Sequence, residues 1–148
     1  MGQLDAGSQH SHTLLYVEDN LANMALVKQL VARRGDLNFL TAINGDLGLL
    51  MARTYKPAII LLDINLPGKS GYEVLKLLRD DPITMHIPTI ALSSNAFQRD
   101  IDEGLEAGFF RYITKPYKLE DLLEALDHAL YAFPNNSSNP ARSEHSFP

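Results

Sequence analysis

Five short apolar runs, Thr13–Val17, Leu37–Ala42, Ala58–Leu62, Pro88–Leu92 and Phe109–Ile113, alternate along the chain with stretches of helical period. The runs are short and β-rich, which predicts strands. The first, third and fourth are continuously apolar, as expected of strands covered on both faces of a parallel sheet. Met24, Val27 and Val31 mark a first helix, Val74, Leu75 and Leu78 a third, and a fourth is expected over roughly Arg99–Ala107. Leu119, Leu122, Leu123, Leu126, Leu130 and Phe133 recur at three- and four-residue steps and predict a closing helix with one buried face. The pattern is (βα)5, which implies a doubly wound α/β domain with right-handed crossovers. Five parallel strands fit the order 2-1-3-4-5 better than a six-stranded dinucleotide fold.

The periodicity stops at both ends. Residues 1–12 and 134–148 are rich in Ser, Asn, Pro, Gly and His and are expected to be tails or linkers around one domain at 13–133. His10 and His12 fall on the first of these polar segments and read as solvated side chains rather than metal ligands. Composition narrows the class further: 45% of the 148 residues are hydrophobic and 21% charged, which describes a chain that folds. With 13 Lys and Arg against 18 Asp and Glu, the net charge is −5 and the basic residues are scattered, which argues against a nucleic-acid partner. Without cysteine there is no disulfide or thiolate metal site. No apolar stretch approaches the roughly 18 residues of a membrane span, and the first dozen residues lack the basic start and apolar segment of a secretory signal. The cytoplasm is the expected compartment.

In a parallel sheet all strand C-termini lie on one edge, and ligands bind there near the switch in strand order, here between the first and third strands. Glu18 and Asp19 follow the first predicted strand, Asp63 the third, Ser93 and Ser94 the fourth, and Thr114, Lys115 and Pro116 the fifth. Any one of these residues is explained by helix capping. The carboxylates together are not, because two like charges about 4 Å apart repel by roughly 4 kcal/mol at an effective dielectric near 20. Lys115 offsets part of this, and a divalent ion would offset more. Oxygen ligands without nearby His or Cys favour Mg²⁺. A carboxylate nucleophile, Mg²⁺, a hydroxyl and a lysine compose a phosphoryl-transfer site, with Asp63 attacking phosphorus and Lys115 and Ser93 stabilising charge on the equatorial oxygens. No histidine follows a strand, so a Ser/His/Asp triad is absent, and there is no GxxxxGK[ST] loop.

These residues sit in four phrases, LLYVEDN at 14–20, LLDINLPGKSGYEVL at 61–75, ALSSNA at 91–96 and YITKP at 112–116. In that order and at those spacings the chain resembles the receiver domain of two-component response regulators over essentially all of 13–133, and is most like receivers of hybrid sensor histidine kinases. The resemblance implies the flavodoxin-like receiver fold. It implies that Asp63 is the phosphoacceptor, taking its phosphoryl group from a phosphohistidine on a histidine kinase or histidine phosphotransfer domain. Mg²⁺ would be held by the carboxylates of Asp19 and Asp63, by the backbone carbonyl of Asn65, and by Glu18 through water. Ser93 and Lys115 would complete the catalytic set. The Lys115–Pro116 bond is often cis in the family, aiming the ammonium into the pocket. Ser93 and Tyr112 would be the switch: as Ser93 moves toward the phosphoryl group, Tyr112 turns inward and the fourth helix, with its interior Gly104, shifts. Such a domain is not a conventional enzyme; it catalyses only its own phosphorylation and dephosphorylation.

Lys69 and Ser70 depart from the apolar residue and Asp that the family often has before Gly71. Ser70 still suits a helix cap, whereas Lys69 places charge beside the partner-docking surface. Asn65 and Asn95 stand where the family tunes phosphoryl lifetime. A pseudo-receiver that only docks proteins is the alternative, opposed by the complete set of acidic pair, acceptor, hydroxyl and lysine. A dehalogenase-type phosphatase would want Asp at position 65, and a flavin site would find its phosphate repelled by Glu18 and Asp19. The face of the last helix bearing Glu120, Asp121, Glu124 and Asp127 reads as solvated, without the mixed charges of a receiver dimer, so a monomer is expected.

Overall fold

The structure, a computed structural model, describes residues 12–132. Five strands, β1 (His12–Val17), β2 (Leu37–Ala42), β3 (Ile59–Asp63), β4 (Thr89–Ser93) and β5 (Arg111–Thr114), form one parallel sheet in the order β2-β1-β3-β4-β5. Between and after them run α1 (Leu21–Val31), α2 (Gly45–Tyr55), α3 (Gly71–Asp80), α4 (Gln98–Ala107) and α5 (Leu119–Ala132). This is the (βα)5 architecture and strand order that the hydrophobic pattern predicts. Among the described residues no helix is long and apolar enough to cross a membrane. Phe133, expected to close the last helix, and the expected tails other than His12 lie outside the described residues.

The strand limits differ from expectation by one or two residues, and the difference has a single origin. Apolarity marks side chains that need no polar partner, whereas the ladder is made by backbone groups that any side chain can accompany. His12, expected in a tail, opens β1 opposite Leu37. Asp63 and Ser93, expected just beyond their strands, are the last paired residues of β3 and β4, opposite Leu92 and Thr114. Conversely, Phe109 and Phe110 precede β5. The Phe109 amide is consumed in closing α4, donating to the Gly104 carbonyl at 3.2 Å past a left-handed Gly108.

Side-chain alternation divides the core between the two sheet faces. Leu14, Tyr16, Ile59, Leu61, Ile90 and Leu92 pack with Val27 and Val31 of α1 and with Leu122, Leu126 and Leu130 of α5. Leu15, Val17, Ile60, Leu62 and Ala91 pack with Ala52 of α2 and Val74, Leu75 and Leu78 of α3. Burying each Leu, Ile or Val stabilises the domain by about 1.5–3 kcal/mol, so the central strands are the most firmly held part of the molecule.

Three helices start at the sheet's C-terminal edge with side-chain caps. Asn20 accepts from the Asn23 amide at 2.9 Å, Asn44 from Leu47 at 2.8 Å, and Ser70 forms a reciprocal box with Glu73. α4 has no such cap: Phe97 precedes it without a side-chain bond, and its one buried residue is Gly104. That glycine has a packing reason. A Cβ there would lie 2.5 Å from Cδ2 and 2.9 Å from Cε2 of Tyr112, so the bare backbone is what seats the tyrosine ring on α4.

Two outcomes follow for α4. Its amides should exchange faster than those of α5 in hydrogen-exchange measurements, since it lacks a cap and buries little; equal protection of the two helices would contradict this. Gly104→Ala should not raise the melting temperature, because the helix-propensity gain of about 1 kcal/mol is offset by displacing the ring. In a Tyr112→Ala background the same change should stabilise by about 1 kcal/mol, and a gain of that size in both backgrounds would show that ring and methyl do not compete.

Candidate functional site

The buried strands deliver their polar ends to one edge of the sheet. Glu18 and Asp19 leave β1, Asp63 ends β3, Ser93 ends β4, and Lys115 follows β5. Glu18, Asp63 and Ser93 are 1%, 4% and 0% exposed, while Asp19 is open to solvent. Carboxylate oxygens of Glu18, Asp19 and Asp63 lie within 4.8 Å of one another. The edge therefore brings together the three carboxylates expected from the sequence, beside β1 and β3 where the strand order switches.

One ammonium faces them. Lys115 Nζ is 3.4 Å from Asp63 Oδ2 and 3.6 Å from Glu18 Oε1, and the peptide after it, Lys115–Pro116, is cis. Its backbone amide donates to the Ser93 carbonyl at 2.7 Å, which fixes the start of this loop against β4. Glu18 is held at both oxygens, Oε1 accepting from the Tyr16 hydroxyl at 2.9 Å and Oε2 from the Asn20 amide at 3.1 Å. Burial and then the charge of Asp63 push the Glu18 carboxyl above its ordinary range, against the opposing pull of Tyr16, Asn20 and Lys115. Burial first, then the neighbouring Glu18 charge, push the Tyr16 phenol well above its ordinary range. Tyr117, packed against the same core cluster, is raised by burial too.

The surrounding loops are set by backbone contacts. Asp63 Oδ1 accepts from the Asn65 amide at 3.0 Å, and Ser93 Oγ from the Asn95 amide at 3.0 Å. The Asn95 carbonyl in turn accepts from the Tyr112 hydroxyl at 3.1 Å. A Cβ on Gly71 would stand 2.6 Å from the Ile64 Cα and 3.0 Å from the Asp63 carbonyl, so only glycine lets α3 begin this close to the end of β3.

Two expectations change. Lys69 is not simply a charge at the edge: its Nζ pairs with Asp46 of α2 at 2.8 Å, tying the β3–α3 loop to the neighbouring helix. The acidic face of α5 is only in part a solvated run. Arg34, after α1, bridges Asp36 and Asp127, and Arg111 lies 3.8 Å from Glu124. Sequence reasoning missed Tyr16 and the seat that Gly104 provides. Tyr16 gave a signal, a hydroxyl in an otherwise aliphatic run two residues before Glu18; for Gly104 only the oddity of a glycine inside a helix was visible.

The donor set is all oxygen and carries more negative charge than one lysine offsets, and no other group of three His, Cys, Asp or Glu among the described residues could hold a metal. This composition fits a hard divalent cation of the Mg²⁺ class.

Comparison with known proteins gives the same direction throughout. The model of the response regulator receiver domain matches residues 14–127. The polar-differentiation response regulator DivK of Brucella anthropi is 38% identical over 114 residues, spanning 77% of this chain and 92% of that protein. Response regulator PleD of Caulobacter vibrioides is 38% identical over 107 residues, covering 72% of this chain but 23% of PleD. Among solved structures, the receiver domain of the sensor histidine kinase PA1611 from Pseudomonas aeruginosa PAO1, which has a magnesium ion coordinated in its active-site cleft, superposes with a TM-score of 0.75. It shares 28% identity and covers 82% of this chain and 98% of that one. With the sheet order, the acidic edge and a family match across nearly the whole described chain in agreement, this protein belongs to the receiver-domain family of two-component response regulators.

Proposed function

We propose that the chain is a phosphoacceptor in a phosphorelay, and that Asp63 receives the phosphoryl group from a phosphohistidine on a histidine kinase or histidine phosphotransfer domain. The observation that carries this reading is the trio of carboxylates within 4.8 Å of one another, faced by Lys115 at 3.4 and 3.6 Å. An Asp63 carboxylate oxygen attacks phosphorus. The P–N bond breaks with its electron pair passing to the imidazole, which leaves neutral because its other nitrogen carries a proton. Water attack on the aspartyl phosphate later releases inorganic phosphate and restores the carboxylate.

The residues divide the work. Asp63 is the nucleophile, with one oxygen accepting from the Asn65 amide and the other facing Lys115. The Lys115 ammonium and Ser93 hydroxyl take up charge on the transferred oxygens. Asp19 and Asp63 through their carboxylates, Asn65 through its backbone carbonyl and Glu18 through water would hold Mg²⁺, which when bound neutralises phosphoryl charge and the repulsion among the acids. Ser93 and Tyr112 read the modified state, since Ser93 binds the Asn95 amide and Tyr112 the Asn95 carbonyl. A shift of Ser93 toward phosphate pulls on the loop that Tyr112 holds. The domain so defined spans 13–133 and acts in the cytoplasm, where a kinase partner phosphorylates it.

Incubation with acetyl phosphate and Mg²⁺ should add one phosphoryl group, seen by intact-mass spectrometry, and the adduct should be absent with EDTA or in Asp63→Asn. An unmodified parent, or an adduct that survives Asp63→Asn, would defeat the proposal and leave a phosphorylation-independent docking module. The electrostatics give a second outcome. Glu18→Gln removes one buried negative charge, so it should shrink the rise in melting temperature that Mg²⁺ produces in the parent. An undiminished rise would mean that the Glu18 charge takes no part in holding the cation.

A further inference from the structure

Glu18 follows β1 two residues after Tyr16, and its amide still donates to the Ala42 carbonyl at 2.9 Å, so the two side chains fall on the same side of the sheet. The Tyr16 ring is fully buried in the core cluster between the sheet, α1 and α5, its centroid 6.3 Å from that of Phe39. Valine, isoleucine or leucine would fill such a position with less risk, because a buried phenol needs a partner for its hydroxyl. Here the partner is Glu18 Oε1, at 2.9 Å.

The opposite oxygen, Oε2, accepts from the Asn20 amide at 3.1 Å, and Asn20 is itself fixed as the cap of α1. One carboxylate is thus clamped between the core and a helix start. Lys115, at 3.6 Å, is the more distant neighbour of Oε1 and lies nearer to Asp63 at 3.4 Å. A ring with two torsions, packed on all sides, sets the position of its hydroxyl far more tightly than a solvated donor would. Remove the hydroxyl, and Lys115 becomes the remaining side-chain partner of Oε1, drawn toward Glu18 and away from Asp63.

We infer that Tyr16 is a positioning residue for the acidic site: its hydroxyl holds the Glu18 carboxylate in place beside Asp19 and Asp63 and leaves Lys115 to Asp63. The inference rests on the proposed Mg²⁺-dependent reading of that site. It assigns Tyr16 no contact with phosphate or with the reacting atoms. Loss of a hydrogen-bond partner of a direct metal ligand commonly weakens binding by about 10- to 100-fold, and since Glu18 would reach the metal through water, the lower end of that range applies to Tyr16.

The test is calorimetric titration of MgCl₂ into the parent chain, Tyr16→Phe, Glu18→Gln and the double variant. Tyr16→Phe should bind Mg²⁺ about tenfold more weakly than the parent. In the Glu18→Gln background the same change should alter affinity by less than about twofold, since the residue through which Tyr16 acts no longer carries the charge. On the parent chain itself, MgCl₂ should shift the ¹³Cζ resonance of Tyr16 but not that of Tyr55, which is exposed at the end of α2. That measurement decides the matter if Tyr16→Phe fails to fold. Parent-like affinity in Tyr16→Phe, an equal loss in both backgrounds, or a Tyr16 signal unmoved at saturating Mg²⁺ overturns the inference while leaving the proposed function standing. A parent that binds no Mg²⁺ overturns both.

Discussion

Like-charge repulsion among Glu18, Asp19 and Asp63 is the constraint around which this edge of the molecule is organised. Three carboxylates with oxygens within 4.8 Å of one another, two of them buried, store an unfavourable energy. A single pair at about 4 Å accounts for roughly 4 kcal/mol at an effective dielectric of 20, comparable with much of the 5–15 kcal/mol that holds a typical domain folded. Every close polar contact around them opposes it. Lys115 faces two of the acids, backbone amides of Asn20 and Asn65 point at two, and the Tyr16 hydroxyl satisfies the oxygen that the amides leave. The arrangement is stable enough to fold and still carries excess negative charge, which is the condition for a site that favours a cation.

Holding such a cluster requires a stiff frame. β1, β3 and β4 are covered on both faces, and their ends are locked in register, Asp63 opposite Leu92 and Ser93 opposite Thr114. The acids cannot relax apart by bending the strands, because that would open the core on both sides of the sheet. Lys115 comes from the far end of the strand order, two strands from Asp63, and the bond from its amide to the Ser93 carbonyl brings it back. The cost of the site is thus spread over the core rather than borne by the loops.

Much of this was legible in the sequence, for reasons that are specific. Continuous apolarity in Ile59–Leu62 marks a doubly covered strand, and a doubly covered strand must end in something polar, which locates Asp63. Ser70 followed by Glu73 spells its own capping box. The contacts that escaped are those between residues distant in sequence with ordinary local environments. Lys69 and Asp46 each read as surface charge, and only the packing of α2 beside α3 makes them a pair. Asp127 looked solvated until the turn after α1 placed Arg34 beside it. The strand ends shifted because apolarity does not mark every strand position: Asp63 and Ser93 are polar, yet both are buried and both pair in the ladder.

The route from the acidic edge to the surface follows from the same geometry. Ser93 Oγ accepts from the Asn95 amide, the Asn95 carbonyl accepts from Tyr112, and the Tyr112 ring lies where a Gly104 side chain would be. Each of these hydrogen bonds contributes only about 0.5–1.5 kcal/mol, whereas the strand that carries Ser93 is fixed by a core worth many times that. Strain introduced at the edge therefore cannot be relieved in the sheet. The least firmly held parts beside that edge are the loop at Asn95 and α4, the one helix that starts without a side-chain cap among those whose start the structure characterises and that buries only a glycine. Tyr112 joins the two, its hydroxyl on the loop and its ring on the helix, and a methyl group at position 104 would deny the ring its seat.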